Sequence, residues 1–548
     1  MERFIEKNNH EKFDVIVIGG GISGASVAYE AATRGLKVAL LEKKDFSWAT
    51  SAATSKMIHG GLRYLINGEV RLVRESLRER RVLGNIAPNY VYPHPIMMMH
   101  HKKPLKNNKR VVKVGMLLYD ALSYDKNRTW DSCKRIPSHR TISRKEVLRQ
   151  EPHVRPEGLA GASVFCDCMS IFPERLTLAF IKSAVAHGAK AANYAQVEGF
   201  LMDAGSRVAG VKVKDLLTGK VHDIAGTVTV NCGGPWADLL LNLAEPNGKE
   251  TPPLRRSEGI HIITAKPLLS GQYIVGSMTP SGRHFFLIPW RNHTLIGTTD
   301  KPFNGNPDDY RVTRESIMEL IDDVNRSFGD GKLSYQDVKH TYGGLRPLIE
   351  KETSETYFSS RKYEIYDNKD AGLDGLITVE GGKYTTSRQL AENCLKIVAV
   401  KLGRNLGKSV TNKKFLTGSE IKDLNFFMNE ALEQGNGISR TTLKYLARNY
   451  GTEYKEIVKL ARADQALSET LNDDGEIQAQ VVYAVRNEMA RTLSDIVMRR
   501  TGIGTLGNPG EEVLRKVAAV AAKELRWDKE KTEKEIAAVV QLLKIPVD

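Results

Sequence analysis

The apolar positions near the N-terminus form two short runs separated by a glycine-rich turn and a longer helical pattern. Asp14 to Ile18 is typical of a buried strand, a helix is predicted from the following glycines to about Arg34, and Gly35 ends it. The segment LKVALLEK is a second apolar strand that ends at Glu42. This order predicts the start of a parallel, nucleotide-binding sheet.

Two later segments repeat the order of strand, small-residue turn and helix. The first is VTVNCGGPWADLL, Val228 to Leu240, and the second is LITVEGGKYTTSRQLAENCLKIV, which begins at Leu376. Both are predicted to return a strand to the first sheet. In the second, Thr386 and Gln389 have the spacing of a capping box, which predicts the helix start.

The intervening and C-terminal regions follow other patterns. Phe285 to Asp300, FFLIPWRNHTLIGTTD, alternates and turns like a hairpin, which predicts a mixed or antiparallel sheet over the nucleotide domain. Beyond about residue 400 the periodicity is helical, as in TTLKYLARNYG, which ends in a glycine, and the amphipathic EEVLRKVAAVAAKELRW.

These patterns predict an α/β, Rossmann-like domain with an α+β substrate domain and an all-α C-terminal domain. The predicted boundaries are 14–70, 160–235 and 340–395 for the nucleotide-binding domain, 71–159 and 236–339 for the substrate domain, and 400–548 for the helical domain. A chain of 548 residues is long enough for this division.

The cysteines are few, and their spacing excludes several kinds of site. Five in 548 residues form no disulfide framework and favour a reducing compartment. Cys166 and Cys168 lack the spacing of a zinc site, and no cysteine follows Cys394, so the C-terminal third cannot hold an iron–sulfur cluster on thiolates. We therefore expect no metal.

The N-terminal segment MERFIEKNNHEKF lacks the apolar core of a secretory signal. Val15 to Ala32 is apolar enough to imitate a membrane span, but its glycines favour a strand, a turn and a buried helix. The sequence therefore predicts a cytoplasmic protein whose membrane contact, if any, is peripheral.

The formal charge of +15 is unevenly distributed along the chain. Residues 101–150 hold 14 Lys and Arg against 4 Asp and Glu, whereas residues 401–548 hold 24 against 21. A solvated face, a docking face for anionic lipid and a nucleic-acid footprint would all produce such a block. The block carries no RNA-binding motif and no aromatic interleaving, so we expect no nucleic-acid partner.

The first turn carries the chemistry of dinucleotide binding. Gly19, Gly21 and Gly24 form G-x-G-x-x-G, in which they allow the tight turn, the approach of pyrophosphate and the close packing of helix on strand. The phosphates would meet the positive end of the helix dipole, and Glu42 has the spacing of the carboxylate that binds a ribose hydroxyl. An N-terminal Rossmann unit followed by one long discontinuous chain favours FAD over NAD.

Several segments together resemble the FAD-dependent glycerol-3-phosphate dehydrogenases, within the D-amino-acid-oxidase-like flavoenzymes. Over about residues 14–395 they are, in order, IGGGISGA, TSKMIHGGLRYL, VNCGGPWAD, GIHIIT, FLIPW with IGTTD, GGLRPL, SSRKYEI and GGKYTTSRQLAE. The later EMARTLSDIVMRRTGIG is similar to the helical cap of that family. Tyr384 and Ser387 depart from the family pattern, where Leu and Tyr are common.

The resemblance implies oxidation of sn-glycerol 3-phosphate to dihydroxyacetone phosphate. A hydride would pass from C2 to N5 of non-covalently bound FAD, and the electrons would pass to a quinone. The FAD-binding residues expected on motif and resemblance are Gly19, Gly20, Gly21, Ser23, Gly24, Glu42, Ser51, Ser55, His59, Gly60, Gly61, Gly233, Gly381, Gly382 and Thr385.

A substrate dianion favours arginine, whose planar fork bonds two oxygens and stays charged. The resemblance implies that Arg63, Arg346, Arg361 and Lys383 line the substrate site, and Tyr64 can donate one further hydrogen bond there. Arg346 is framed by a glycine pair and a proline, which makes an arbitrary solvent position improbable. Arg361 rests on the resemblance alone.

The expected catalytic residues are His261, Arg346 and Lys383. His261 lies on an apolar strand and is either the base for the C2 hydroxyl or a buried core histidine. His59, in the flavin loop, is a contact of the flavin, a proton carrier or a packing residue.

Transfer of electrons to a lipid quinone would require docking at a bilayer, and the basic residues of 101–150 would then contact anionic lipid. The expected location is then the cytoplasm, with peripheral contact on the inner face of the cell membrane, and a homodimer remains open. A sister flavoenzyme that oxidises another hydroxy acid or an amine is the alternative. One arginine would hold a carboxylate, so the several cations favour a phosphate.

Overall fold

The structure is a computed structural model. It describes residues 1–7, 11–65, 68–101, 109–244, 252–279, 282–328, 333–349, 361–435 and 437–547. The first part of the predicted basic block, 102–108, and the two serines before Arg361 lie outside the described residues.

The strands are β1 (Phe13–Ile18), β2 (Val38–Leu41), β3 (Met57–Ile58), β4 (Tyr92–His101), β5 (Arg140–Ser143), β6 (Leu159–Met169), β7 (Lys190–Ala192), β8 (Ala195–Met202), β9 (Val208–Asp215), β10 (Val221–Asn231), β11 (Arg255–Thr264), β12 (Ile274–Met278), β13 (His284–Trp290), β14 (His293–Gly297), β15 (Lys301–Phe303), β16 (Val338–Leu348), β17 (Tyr363–Asp367) and β18 (Leu376–Gly381).

The helices are α1 (Ile22–Thr33), α2 (Val70–Ile86), α3 (Lys109–Leu122), α4 (Arg144–Gln150), α5 (Pro173–Ala186), α6 (Ala237–Asn242), α7 (Arg314–Ser327), α8 (Ser387–Leu402), α9 (Leu424–Glu433), α10 (Arg440–Tyr450), α11 (Tyr454–Ala463), α12 (Ala479–Glu488), α13 (Leu493–Asp495), α14 (Glu511–Leu525) and α15 (Lys529–Leu542).

The first sheet has eight strands, and its main path runs β17-β18-β10-β1-β2-β7. The pairs β1–β2, β1–β10, β10–β18 and β2–β7 are parallel, and α1 packs against α5 and α8 on one face. Parallel strands are buried on both faces, which explains the continuous apolar runs of β1 and β2. The predicted return of two later strands to this sheet is confirmed by β10 and β18.

The second sheet has ten strands in the path β15-β11-β14-β13-β12-β4-β6-β3, with β16 on β11 and β5 on β6. All its pairs are antiparallel except β4 with β12. The predicted hairpin is confirmed by β13 and β14, and its turn residues Arg291 and Asn292 both have positive φ, as a tight hairpin requires.

Strands β6 and β16 belong to the second sheet, although the predicted nucleotide-binding segments 160–235 and 340–395 begin on them. The domain boundaries themselves stay a prediction.

The chain beyond residue 423 is helical, from α9 to α15, and encloses two apolar cores. The predicted α/β, α+β and all-α organisation is confirmed. Within the described residues, no helix combines the length and the apolar sequence that crossing a bilayer requires.

The predicted capping box at the start of α8 is wrong. Thr386 is the N-cap residue, but its hydroxyl donates to Lys383 O at 3.4 Å instead of accepting an N–H of the helix. The Gln389 side-chain oxygen accepts from Arg78 and Arg388. Hydrogen bonds from charged donors are stronger than neutral ones, and they hold Gln389 away from the helix end.

Candidate active site

A cavity of about 650 Å³ is lined by residues of both sheets. One end lies at the turn between β1 and α1, and the other lies where β11, β14 and β16 of the second sheet meet the turn after β18. The volume lies in the range of ordinary small-molecule sites.

The turn at the first end depends on glycine. A Cβ on Gly24 would lie 1.9 Å from Gly19 O, so α1 can approach β1 only without a side chain there. Ser51 Oγ accepts the N–H of Ile22 at 2.9 Å, at the first residue of α1. The helix N-terminus therefore faces the cavity in the orientation that favours an anion.

Glu42 lies at the end of β2 and lines the same end of the cavity. Its carboxylate accepts the N–H of Gly20 at 2.6 Å and that of Lys44 at 2.9 Å. Burial raises the pKa of the Glu42 carboxyl more than these two donors lower it.

Most of the predicted cofactor-binding residues line the cavity; they are Gly19, Gly21, Ser23, Glu42, Ser51, Ser55, His59, Gly61, Gly233, Gly381, Gly382 and Thr385. Gly20, Gly24 and Gly60 do not line it. A Cβ on Gly60 would lie 2.3 Å from Tyr119 Oη, so this glycine serves packing behind the loop.

His59 lies in the loop after β3, and its N–H donates to Thr385 Oγ1 at 3.3 Å. Burial, and then the charge of Lys383, lower the pKa of His59 to about 4. The imidazole is therefore neutral near pH 7.

The other end of the cavity carries four cations, Arg63, Arg346, Arg361 and Lys383, here called the cavity cations. Arg346 lies on β16 opposite Ser257 of β11, and a Cβ on Gly259, two residues further along β11, would lie 1.8 Å from Arg346 Nη2. Arg346 donates to Thr298 Oγ1 at 2.7 Å and to Thr299 O at 3.2 Å. The guanidinium is therefore held at a fixed place on the cavity wall.

Asp300 is shared by two cavity cations. Its Oδ2 lies 2.7 Å from Arg361 Nη2 and 3.5 Å from Arg346 Nη1. Burial lowers the pKa of Arg346 to about 10, more than Asp300 raises it, and Arg361 and Arg63 lower it further. The IGTTD segment containing Asp300 was recognised from the sequence, but the role of the aspartate was not predicted.

Tyr64 lies between the remaining two cavity cations. Arg63 Cζ and Lys383 Nζ are each 4.7 Å from the centroid of its ring, and Arg63 donates to Tyr64 Oη at 3.0 Å. Lys383 also donates to Ser76 Oγ. Burial raises the pKa of Tyr64, but Arg63 and Lys383 outweigh it and lower that pKa below its usual value.

His261 lies on β11, facing the cavity. Ser55 Oγ is 2.8 Å from its Nε2, and its ring stacks on Tyr342 with centroids 5.0 Å apart. A Cβ on Gly297 would lie 2.2 Å from the imidazole, so this glycine makes room for the ring. Burial, then the charges of Arg346 and Lys56, lower the pKa of His261 well below its usual value.

Sequence reasoning therefore found the residues that meet in the cavity but missed some of their neighbours. His284 also lines the cavity, and burial and Arg63 lower its pKa to about 4. Tyr342 and Lys56 lie behind His261. His284 and Tyr342 carry no local motif and reach the site through the pairing of distant strands. Lys56 lies within the recognised segment TSKMIHGGLRYL, but its contact with Tyr342 was not predicted.

Comparison with known proteins agrees with this geometry. Residues 14–388 match the family described as FAD dependent oxidoreductase, and residues 409–532 match the C-terminal domain of alpha-glycerophosphate oxidase. A glycerol-3-phosphate dehydrogenase of Synechocystis is 34% identical over 98% of this chain and 97% of its own length. An aerobic glycerol-3-phosphate dehydrogenase of Staphylococcus haemolyticus is 31% identical over 91% of this chain and 88% of its own.

A solved glycerol-3-phosphate dehydrogenase from Bacillus halodurans, complexed with FAD, has a TM-score of 0.80 at 27% identity and covers 100% of this chain and 98% of its own. An L-alpha-glycerophosphate oxidase from Mycoplasma pneumoniae with FAD bound shares the fold, with a TM-score of 0.54 at 16% identity over 74% of this chain and 98% of its own. The chain belongs to the FAD dependent oxidoreductase family, among the relatives of the glycerol-3-phosphate dehydrogenases, and FAD is its cofactor.

Proposed function

We propose that the protein oxidises sn-glycerol 3-phosphate at C2 to dihydroxyacetone phosphate and passes the electrons to a quinone. The observation that carries the proposal is the group of cavity cations at one end of a cavity whose other end is a dinucleotide turn. The names and FAD ligand of the relatives support the same substrate.

The residues at the first end fit FAD. The glycine turn leaves the N-terminus of α1 open to the cavity for the pyrophosphate, and Glu42 lies at the end of β2 for the ribose. His59, Gly61, Gly381 and Gly382 line the middle of the cavity, where the flavin would lie. When bound, FAD supplies the acceptor for the hydride from substrate C2.

The cavity cations would bind the phosphate. Arg346 and Arg361 share the carboxylate of Asp300, and burial depresses the pKa of both and of Lys383. A phosphate dianion would add negative charge and accept several hydrogen bonds, each worth about 1.5–3 kcal/mol net. Tyr64 would add a bond to the same group.

His261 would accept the proton of the C2 hydroxyl. Its low pKa keeps the imidazole neutral near pH 7, and Ser55 fixes one edge of the ring. His59 is also neutral but lies on the flavin loop, so we assign it to cofactor binding.

Docking at an anionic membrane from the cytoplasm would bring the protein to a lipid quinone. The support is α3, which buries Met116 and Tyr119 yet exposes Val114 at 67% and Leu117 at 55%. Apolar side chains on the outer face of a helix in a basic region are typical of interfacial contact. A homodimer stays a prediction.

The proposed reaction is tested by adding glycerol 3-phosphate to the yellow holoenzyme without oxygen. We expect the oxidised flavin absorption to bleach and a quinone analogue to restore it. Glycine and 2-hydroxyglutarate are the controls. Bleaching by one of them and not by glycerol 3-phosphate would identify a sister flavoenzyme instead.

Membrane docking is tested by co-sedimentation with vesicles with and without anionic lipid. We expect the wild type to pellet with anionic vesicles and Val114→Glu and Leu117→Glu to remain in solution. Val400, on α8 and 80% exposed, provides the matched control Val400→Glu. Equal binding of all variants would reject α3 as the docking surface.

A further inference from the structure

We propose that Lys56 is a positioning residue that keeps His261 in its neutral form, acting through the ring of Tyr342. The inference rests on the proposed role of His261 as the base. Lys56 lies beside Ser55 in the loop that leads to the flavin, and its side chain is buried. Its role is not explained by substrate or cofactor contact, because it does not line the cavity.

The first observation is a shared aromatic ring. Tyr342 stacks on His261 with centroids 5.0 Å apart and planes 18° apart, and Lys56 Nζ lies 5.2 Å from the centroid of the same Tyr342 ring. The face of an aromatic ring attracts a cation, and like charges held close to the same ring repel each other. A second cation on the same ring, which protonated His261 would be, is repelled by the first.

The second observation is the orientation of an ion pair. Lys56 Nζ donates to Glu174 Oε1 at 2.7 Å, and both side chains are nearly fully buried. Trp290 lies beside the pair, with its centroid 5.5 Å from Lys56 Nζ. Neither member of the pair lines the cavity, and Lys56 is the member whose charge lowers the pKa of His261.

The third observation is the backbone of Lys56, whose φ is +57°. A residue with a Cβ rarely adopts this conformation, and it persists where the surroundings require it. Here it lets consecutive side chains reach His261 by two routes. Ser55 contacts Nε2 directly, and Lys56 lies behind the stacked ring.

Two charged neighbours of His261, Arg346 and Lys56, lower its pKa. The residues around His261 come from three elements. Strand β16 contributes Arg346 and the stacked Tyr342, and β14 contributes Gly297. The loop before β3 contributes Ser55 and Lys56. Burial and both cations act in the same direction, against the imidazolium. Arg346 is also a proposed phosphate contact, so Lys56 is the cation that acts on His261 without touching substrate.

The test is the pH dependence of kcat/KM for glycerol 3-phosphate with Lys56→Met. Removing the positive charge raises the pKa of His261, so the acidic limb should move to higher pH. Lys56→Arg keeps the charge and should restore the wild-type limb. A limb that stays in place in Lys56→Met would overturn the proposal.

A second readout does not depend on turnover. In protein labelled with ¹³C at histidine Cε1, the His261 resonance is assigned by its absence from His261→Gln. We expect it to titrate at higher pH in Lys56→Met than in the wild type. If the resonance shifts but no variant oxidises glycerol 3-phosphate, the proposed function fails and the effect of Lys56 stands.

Two further variants keep the test decisive. Lys56→Met/Glu174→Gln removes the ion pair without leaving a buried carboxylate alone, and it should shift the titration in the same direction. Lys182→Met is the matched control, because Lys182 is also buried, bonds Glu453 at 2.6 Å and lies 5.2 Å from the ring of Tyr483. An equal shift in the control, or none in the double variant, would reject the inference.

Discussion

Two groups of buried cations, one at the cavity and one beside the C-terminal helices, differ in their partners. The cavity cations share Asp300 between Arg346 and Arg361. The second group, the junction cations, joins the nucleotide-binding sheet to the C-terminal helices and comprises Arg175, Lys182, Arg499 and Arg500.

Each junction cation has a carboxylate close by. Arg500 makes bonds of 2.8 and 2.7 Å to the two oxygens of Asp45, and Arg499 bonds the same carboxylate at 2.6 Å. Glu488 accepts from Arg175 at 2.9 Å and from Lys182 at 3.1 Å.

The difference appears in the pKa values. Burial raises the pKa of Asp45 and Glu488, but the junction cations outweigh it and lower both to about 2. At the cavity burial prevails, and the pKa values of Arg346, Arg361 and Lys383 fall. Loss of one partner from a buried ion pair should therefore be costly at the junction, whereas the lowered pKa values at the cavity are consistent with its proposed role in binding an anion.

The largest expected effect is on the junction. Arg500→Ala leaves Asp45 buried without its bidentate partner and should lower the free energy of unfolding by about 3–5 kcal/mol. Urea unfolding of the holoenzyme measures it. Arg486→Ala removes an exposed pair with Glu524 and should change stability little. Equal losses in both variants would remove the distinction between buried and exposed pairs.

The junction should also weaken in acid. The folded pKa of Glu488 is about 2, below its unfolded value of about 4.3. Its stabilisation is therefore complete above that unfolded value and is lost as pH falls towards about 2, with a total of roughly 3 kcal/mol. Urea midpoints between about pH 6 and pH 3 should fall more steeply in the wild type than in Glu488→Gln. Parallel slopes would contradict this assignment.

Substitution of a cavity cation should reduce activity. Arg346→Ala should raise KM strongly and lower kcat/KM for glycerol 3-phosphate by about 10²–10³-fold, since charge-assisted bonds to the phosphate are lost. The flavin spectrum should not change. An unaltered KM would remove Arg346 from the substrate site.

The smallest effect should come from inorganic phosphate. Binding at the cavity cations should stabilise the wild type by about 1.4 kcal/mol at a tenfold excess over Kd, and Arg346→Ala should lose that gain. Thermal unfolding with phosphate and with chloride at equal ionic strength measures the difference. Equal stabilisation of the wild type and the variant would place the bound anion elsewhere.

The local elements were predictable because each has its own pattern. The G-x-G-x-x-G turn, the hairpin of β13 and β14, and the glycine pair before α8 all combine a hydrophobic period with a turn residue. Arg346 could be singled out because glycines and a proline frame it. These patterns indicated the glycine turns and Arg346, whereas Arg361 was expected only from the family resemblance.

The contacts that could not be predicted from the sequence join residues that are far apart in the chain. Arg346 reaches Asp300 because β14 and β16 both pair with β11. Lys56 and His261 both contact the ring of Tyr342, which is distant from each of them in the sequence. The capping box failed because Arg78, from another helix, competes for Gln389. Each of these contacts joins side chains that are far apart in the chain, and the spacing of a local motif carries no information about them.

The bond between Arg500 and Asp45 spans 455 residues and has a consequence for biosynthesis. Asp45 follows Glu42 closely, in the segment that leads from β2 to the cofactor cavity. During synthesis, Arg499 and Arg500 leave the ribosome long after the segment that contains Asp45. The nascent chain must therefore carry an uncompensated aspartate until the helices from α9 to α13 have been made. A chain that ends before Arg499 would lack both arginine partners of Asp45, and we expect its folded state to be less stable.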